Sequence, residues 1–262
     1  MTERGAIVIP ADTTGVAEVR MCWSQVRNAL GAEQAVQLID ALVAAADDQQ
    51  TGAVLLTADG PAFSAGGNLP SILALVADGP DAVRGTLYAA FQGVINTIRG
   101  LRVPVIAVLD GPAVGLGCDI ALACSMRVVG PRGWMRYGWG QLGLIPAPGG
   151  LAMLRDLVGE QRVWQFICAE RLDAAELERW GVAVAATDAM QRARQFAAGL
   201  AALPGESAVA AKVLLREHDF DAHLRQALNY QLEFLMSEAF RRRAADVLGT
   251  TTKGKGRARW PD

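Results

Sequence analysis

The 262 residues include four cysteines and two histidines, and no two cysteines stand in a CxxC pair. Cys22, Cys118, Cys124 and Cys168, with His218 and His223, are too few and too scattered for a disulfide framework or a zinc site. The cysteines therefore read as buried thiols that act as small hydrophobes. Charge of one sign is not in excess either: 25 Lys and Arg face 27 Asp and Glu, a formal net charge of −2. Proteins that grip a phosphate backbone carry a clustered positive excess, so nucleic acid is excluded as a partner. Long apolar runs are missing as well. No charge-free stretch is longer than the one between Arg136 and Arg155, and its five glycines and two prolines break any continuous spanning helix. At the start, Glu3, Arg4 and Asp12 bracket only the short apolar run 6–10. That is less than the roughly 7 to 15 residues of a signal-peptide core. The expectation is a cytoplasmic protein with no membrane partner.

What is present is a composition of 52% hydrophobic and 20% charged residues, enough for one large core with a terminal extension. Residues 6–10 and 16–21 read as strands joined by the turn Asp12-Thr13-Thr14-Gly15. From Ala32 onward, Ala35, Leu38, Ile39, Leu42, Val43 and Ala46 recur at helical spacing. Residues 53–57 form a continuous apolar run closed by Asp59-Gly60-Pro61, the pattern of a strand buried on both faces. A second unit repeats this alternation. Val83, Leu87, Ala90, Phe91, Val94, Ile95 and Ile98 mark a helix, and 103–109 another buried strand, stopped by Asp110-Gly111-Pro112. A short helix over 114–124, a strand over 126–129 and a Gly- and Pro-rich stretch over 130–150 follow. The remainder reads as helices over 151–158, 163–168, 174–180, 189–202, 207–217 and 222–248, with one strand at 182–186. The expected class is α/β, with residues 1–200 as a core domain and residues 201–262 as a helical C-terminal region. Its basic tail, 250–259, is expected to be mobile.

Two glycine clusters stand at strand exits: Phe63-Ser64-Ala65-Gly66-Gly67-Asn68-Leu69, and Gly111-Pro112-Ala113-Val114-Gly115-Leu116-Gly117-Cys118-Asp119. Such turns can be tight bends that need glycine at positive φ. They also leave backbone N–H groups free, and a helix opening there adds positive partial charge, so two converging turns could cradle an oxyanion. Taken in order, the motifs resemble the enoyl-CoA hydratase/isomerase (crotonase) superfamily. Arg27-Asn28-Ala29-Leu30 resembles its RNAL-type CoA-binding segment, and Ala62 through Leu69 its AFCAGADL motif. Pro104-Val105-Ile106-Ala107 with the second glycine cluster and Ile120-Ala121-Leu122-Ala123-Cys124 resembles its second oxyanion segment. Leu142-Gly143-Leu144-Ile145-Pro146, with Gly149-Gly150, resembles its LGLIPGAGG turn.

The resemblance implies a crotonase-type spiral of ββα turns in residues 1–200, a helical C-terminal region that joins subunits into trimers or hexamers, and an acyl-CoA thioester as substrate. No cofactor beyond the CoA of that substrate is implied. The shared chemistry would be stabilisation of a thioester enolate by the backbone amides of Gly67 and Leu116. Asn28, Ala29 and Gly66 would wall the CoA, with Ser64, Ala65, Asn68, Leu69 and Gly115 beside them. On the same ground, apolar Val213, Leu214, Leu224, Leu232, Leu235 and Met236 would pack between subunits.

Departures from the family pattern are informative. Its hydratases use two glutamates, one matched here by Asp119 and one that falls on Trp139, or on Gln141 after a two-residue slip. Neither is a carboxylate, and no Asp or Glu occurs between Asp119 and Asp156. Asp119 reads as a catalytic group or as a helix-start residue, and the helix dipole should favour its charged form. Arg136, Tyr137 and Trp139 crowd the segment that should face the acyl group, as core packing or as acyl recognition, with Tyr137 a possible proton donor. Ser125 reads as structural, and His218 and His223 as surface or capping residues. The expected function is single-carboxylate isomerisation, hydrolysis or decarboxylation of an acyl-CoA rather than two-glutamate hydration. The alternative is a catalytically silent acyl-CoA binder or scaffold.

Overall fold

The structure is a computed structural model and describes residues 5–203, 207–215 and 220–249. The basic tail and His218 lie outside the described residues, as do the side chains of Val213, Leu214 and His223. The chain opens with β1 (Ala6–Ile9) and β2 (Val16–Met21), paired antiparallel with Ala6 opposite Met21. Next come α1 (Ala32–Asp47), β3 (Ala53–Ala58), α2 (Leu69–Ala77) and α3 (Pro80–Ala82), then a π-helical segment (Val83–Tyr88) that runs into α4 (Ala89–Gly100). The middle holds β4 (Val105–Leu109), β5 (Ala113–Val114), α5 (Leu116–Ala123), β6 (Met126–Val129) and β7 (Trp134–Arg136). A 3-10 turn (Trp139–Leu142) leads to α6 (Gly150–Val158), α7 (Glu160–Cys168), β8 (Leu172–Asp173), α8 (Ala174–Arg179), β9 (Val184–Ala185) and α9 (Ala189–Ala201). The C-terminal helices are α10 (Ser207–Leu214), α11 (Phe220–Met236) and α12 (Glu238–Val247). No helix among the described residues is long and apolar enough to cross a membrane.

The main sheet has the order β1-β2-β3-β4-β6-β9 and is parallel apart from β1. The apolar run of β3 is explained by two cores. Val54 and Leu56 face one, while Ala53 and Leu55 face another under α9, with Val128, Ala193 and Ala197. After β3, β4 and β6 the chain steps off the main sheet, and these exits stack in parallel. Ser64 bridges Ala113, and β5 pairs with β7, Ala113 opposite Met135. This strand, short strand and helix repeat sets residues 64–67 beside 113–116.

Several expectations change. The stretch 130–150 contains β7, and the helix expected over 222–248 is two helices. The break is at Ser237, whose Oγ donates to Phe234 O (2.7 Å) and accepts from Phe240 N (3.1 Å), capping α12. The apolar C-terminal face finds its cover within its own chain. Leu228, Leu232, Leu235, Phe240 and Ala244 are buried in the same core as Val54 and Leu56, and Leu224 is buried too. Two glutamines pin α11 in place. Gln231 Oε1 accepts from Ile145 N (2.9 Å) while its Nε2 donates to the buried Tyr88 hydroxyl, and Gln92 Nε2 donates to Ala147 O (3.0 Å) and Leu224 O (3.1 Å).

Candidate active site

Residues 27–30 and 65–68 are strapped together by main-chain bonds. Ala65 N donates to Arg27 O, Leu30 N to Gly66 O and Asn68 N to Leu30 O, each between 2.8 and 2.9 Å. Asn28 locks the strap. It is fully buried, has a left-handed φ of 54°, accepts from Trp23 N and donates to Asp59 O and Ala62 O, each at 2.9 Å. Ser64 Oγ donates to Asn28 O (2.7 Å) and accepts from Gly66 N (3.1 Å). Asn28 and Ser64 are thus internal ties of the wall and do not line the cleft. Asn68 turns its side chain to Ser71 N (3.1 Å) and caps α2.

The two glycine turns meet where the strand exits stack. Gly66 has φ +98°, and a Cβ there would stand 2.6 Å from Val114 O and 3.4 Å from Leu116 N. A side chain would push the second turn away. Leu116 opens α5 behind Gly115, whose φ of +54° suits a residue without Cβ, so its amide has no preceding helical turn to donate to. The far end of α5 is held by Arg127 on β6, itself buried. Its Nη1 reaches Ala121 O and Leu122 O (3.3 Å each) and Cys124 O (2.9 Å), and its Nε donates to Val182 O (2.6 Å). A cation at a helix C-terminus satisfies the carbonyls left open there.

A cleft of about 790 Å³ lies along these turns. Of the residues expected to form the site, Ala29, Ala65, Gly66, Gly67, Asn68, Leu69, Gly115, Leu116 and Trp139 line it. Asp119 and Tyr137 do not. Asp119 is 2% exposed in the first turn of α5, packed so closely against Gly150 that any side chain there would collide with its carboxylate. It borders, with Tyr137 and Phe166, a separate void of about 10 Å³, the space of one water. Trp139 lines the cleft, and its indole Cε2 and Nε1 lie 3.9 Å from where a Gly115 Cβ would be.

Burial acts against the charged form expected for Asp119. Burial lifts its carboxyl well above the usual range, because loss of water penalises the charged form more than the dipole of a two-turn helix favours it. The nearby Trp139 indole pulls weakly the other way, yet neither Asp119 Oδ2 nor Trp139 Nε1 completes a hydrogen bond. Burial also raises Tyr137, with the Asp119 carboxyl adding to it, so its phenol is a poor proton donor.

Charged residues on the cleft wall are Arg27, Arg136 and Glu170. Glu170 is the carboxylate that sequence reasoning misses. It precedes β8, and antiparallel pairing of β8 with β7, Trp134 opposite Asp173 and Met135 opposite Leu172, brings it to the cleft wall. A two-residue ladder leaves no periodic pattern to find in the sequence. Val247, the last residue of α12, and Leu248 line the cleft from the C-terminal side.

Residues 11–247 match the enoyl-CoA hydratase/isomerase family over most of the chain. The chain belongs to that family. It is 35% identical over 192 residues to a probable enoyl-CoA hydratase of Mycobacterium tuberculosis, covering 72% of this chain and 73% of that protein. It is also 29% identical over 196 residues to a 4-chlorobenzoyl coenzyme A dehalogenase of an Arthrobacter species, covering 73% of this chain and 71% of the relative. The crystal structure of an enoyl-CoA hydratase from Mycobacterium avium subsp. paratuberculosis superposes with a TM-score of 0.81 at 26% identity, over 92% of this chain and 98% of that one. The fold is therefore the crotonase fold expected from the motifs. The relatives' names span a hydratase and a dehalogenase, so membership of the enoyl-CoA hydratase/isomerase family does not select the reaction.

Proposed function

We propose that this enoyl-CoA hydratase/isomerase family member is an acyl-CoA enzyme that stabilises a thioester enolate between the amides of Gly67 and Leu116. It moves a proton with one carboxylate rather than hydrating by two. The observation that carries the reading is the meeting of two glycine turns at one end of the cleft, with Leu116 N left open at a helix start. One such amide is worth about 2.7 to 4 kcal/mol to a developing oxyanion. The relatives' names, a hydratase and a CoA-thioester dehalogenase, support a CoA thioester as substrate. Asp119 is poorly placed as the proton carrier, because it is buried off the cleft and burial raises its carboxyl well above the usual range. Glu170 is the carboxylate on the cleft wall and takes that role here. A single base can remove a proton at one carbon and return it at another, which is double-bond isomerisation.

The test is exchange of the Cα protons of butyryl-CoA in D2O, followed by mass spectrometry, with crotonyl-CoA hydration as the counter-assay. Exchange that is lost in Glu170→Gln and kept in Asp119→Asn is expected, with hydration far below the 10 s⁻¹ or so of an ordinary enzyme. Binding without exchange would leave a silent acyl-CoA binder. Hydration at an ordinary rate would refute the one-carboxylate reading.

A further inference from the structure

Arg136 is a half-buried cation on the cleft wall whose guanidinium makes neither a hydrogen bond nor an ion pair with any described residue. Its strand β7 pairs with β8 at Trp134–Asp173 and Met135–Leu172, and a further cation, Arg171, stands just before β8. Arg171 stacks over Trp134, 5.6 Å from the ring centre, on the wall of an adjoining cavity of about 490 Å³ that shares Arg27, Ala65 and Val114 with the cleft. Glu170, the acidic residue of the cleft wall, makes no ion pair with Arg136. Such a wall is stabilised by an anion.

The position of Arg136 says which anion. Arg136 pairs with Val114, and its carbonyl accepts from Gly115 N (3.1 Å), one residue before Leu116. It therefore stands level with the proposed oxyanion turn, where a thioester would sit. In an extended acyl-CoA the whole pantetheine arm separates the thioester from the phosphates. A negative group within reach of Arg136 is then one carried by the acyl chain. Guanidinium is suited to the task, since it stays charged and meets a carboxylate through two parallel hydrogen bonds.

We infer that Arg136 recognises a carboxylate on the acyl group, so that the substrate class is the CoA monothioester of a dicarboxylic acid. This rests on the acyl-CoA reading above. The experiment is calorimetric titration of length-matched pairs, butyryl- against succinyl-CoA and valeryl- against glutaryl-CoA, with the same acyl groups on phosphate-free pantetheine. Wild-type protein should prefer at least one carboxylate-bearing member about tenfold, in both the CoA and the pantetheine series. Arg136→Gln should bring that ratio close to one, and Arg136→Lys should leave it between. A wild-type ratio near one while the thioesters bind would overturn the inference and leave the acyl-CoA reading standing. So would a preference that Arg136→Gln does not change, or one confined to the CoA series, which would assign Arg136 to the CoA phosphates. If no CoA thioester binds at all, the acyl-CoA reading itself fails. If Arg136→Gln does not fold, Arg136→Lys decides: an intermediate ratio supports the inference, and an unchanged ratio overturns it.

Discussion

Asn28→Ala removes the tie that holds both walls of the cleft. Three main-chain groups lose their partner, Trp23 N, Asp59 O and Ala62 O, and all three bonds are 2.9 Å long. A buried polar group left unsatisfied costs about 1 to 3 kcal/mol. Local relaxation and water entry make the losses less than additive, so about 4 kcal/mol is the expected total for the bonds. A second cost comes from the backbone. At φ 54° asparagine is tolerated where alanine costs about 1 to 2 kcal/mol more. Asn28→Gly separates the two, because glycine forfeits the same bonds but accepts the left-handed conformation freely. Urea unfolding followed by circular dichroism should therefore rank wild type above Asn28→Gly, and Asn28→Gly above Asn28→Ala by about 1 kcal/mol, with unchanged slopes. A loss under about 1 kcal/mol for Asn28→Ala, or glycine below alanine, would show that residues 27–30 are held by something other than this side chain.

Three further outcomes follow from the geometry. A carboxyl whose folded pKa is raised is more protonated in the folded than in the unfolded chain, so it erodes stability as pH climbs above the unfolded value near 4. Asp119→Asn should then unfold at higher urea than wild type at pH 7 to 8, with the advantage shrinking toward pH 4; an advantage that grows on acidification would mean a charged Asp119. Gly66→Ala should cost about 1 to 3 kcal/mol of stability through its positive φ and should lower any enolate exchange by at least 10², because its Cβ displaces the Leu116 turn; near-normal exchange would refute the convergence of the two amides. Arg127→Met leaves four carbonyls at and beyond the end of α5 without this donor and should cost about 3 kcal/mol in the same unfolding assay, whereas a neutral result would mean that α5 is not held from β6.

The alternation of buried strands and amphipathic helices was legible in the sequence because each element solves its own burial problem. β3 shows this: five apolar or small residues in a row need cover on both faces, and the cores under α1 and α9 supply it. The two glycine turns were legible for a related reason. Gly66 answers a steric demand made by the neighbouring turn and Gly115 a left-handed φ of +54°, and each demand leaves a mark in the sequence. What stayed hidden depends on contacts that leave no local mark. The two-residue ladder of β7 and β8 brings Glu170 to the cleft from more than thirty positions beyond Gly138, and the ladder is too short to impose alternation. The cover on α11 is of the same kind. Leu224, Leu232 and Leu235 announce an apolar face, but the same face would serve a partner subunit or the parent chain. The choice is made by the amides of Gln92 and Gln231, two polar residues that sequence periodicity passes over. Asp119 shows the opposite limit. Its place in the motif suggests a charged catalytic group, yet its charge is set by what surrounds it. A carboxyl one methylene shorter than the family's glutamate, packed against Gly150 and off the cleft, is desolvated, and desolvation raises its pKa.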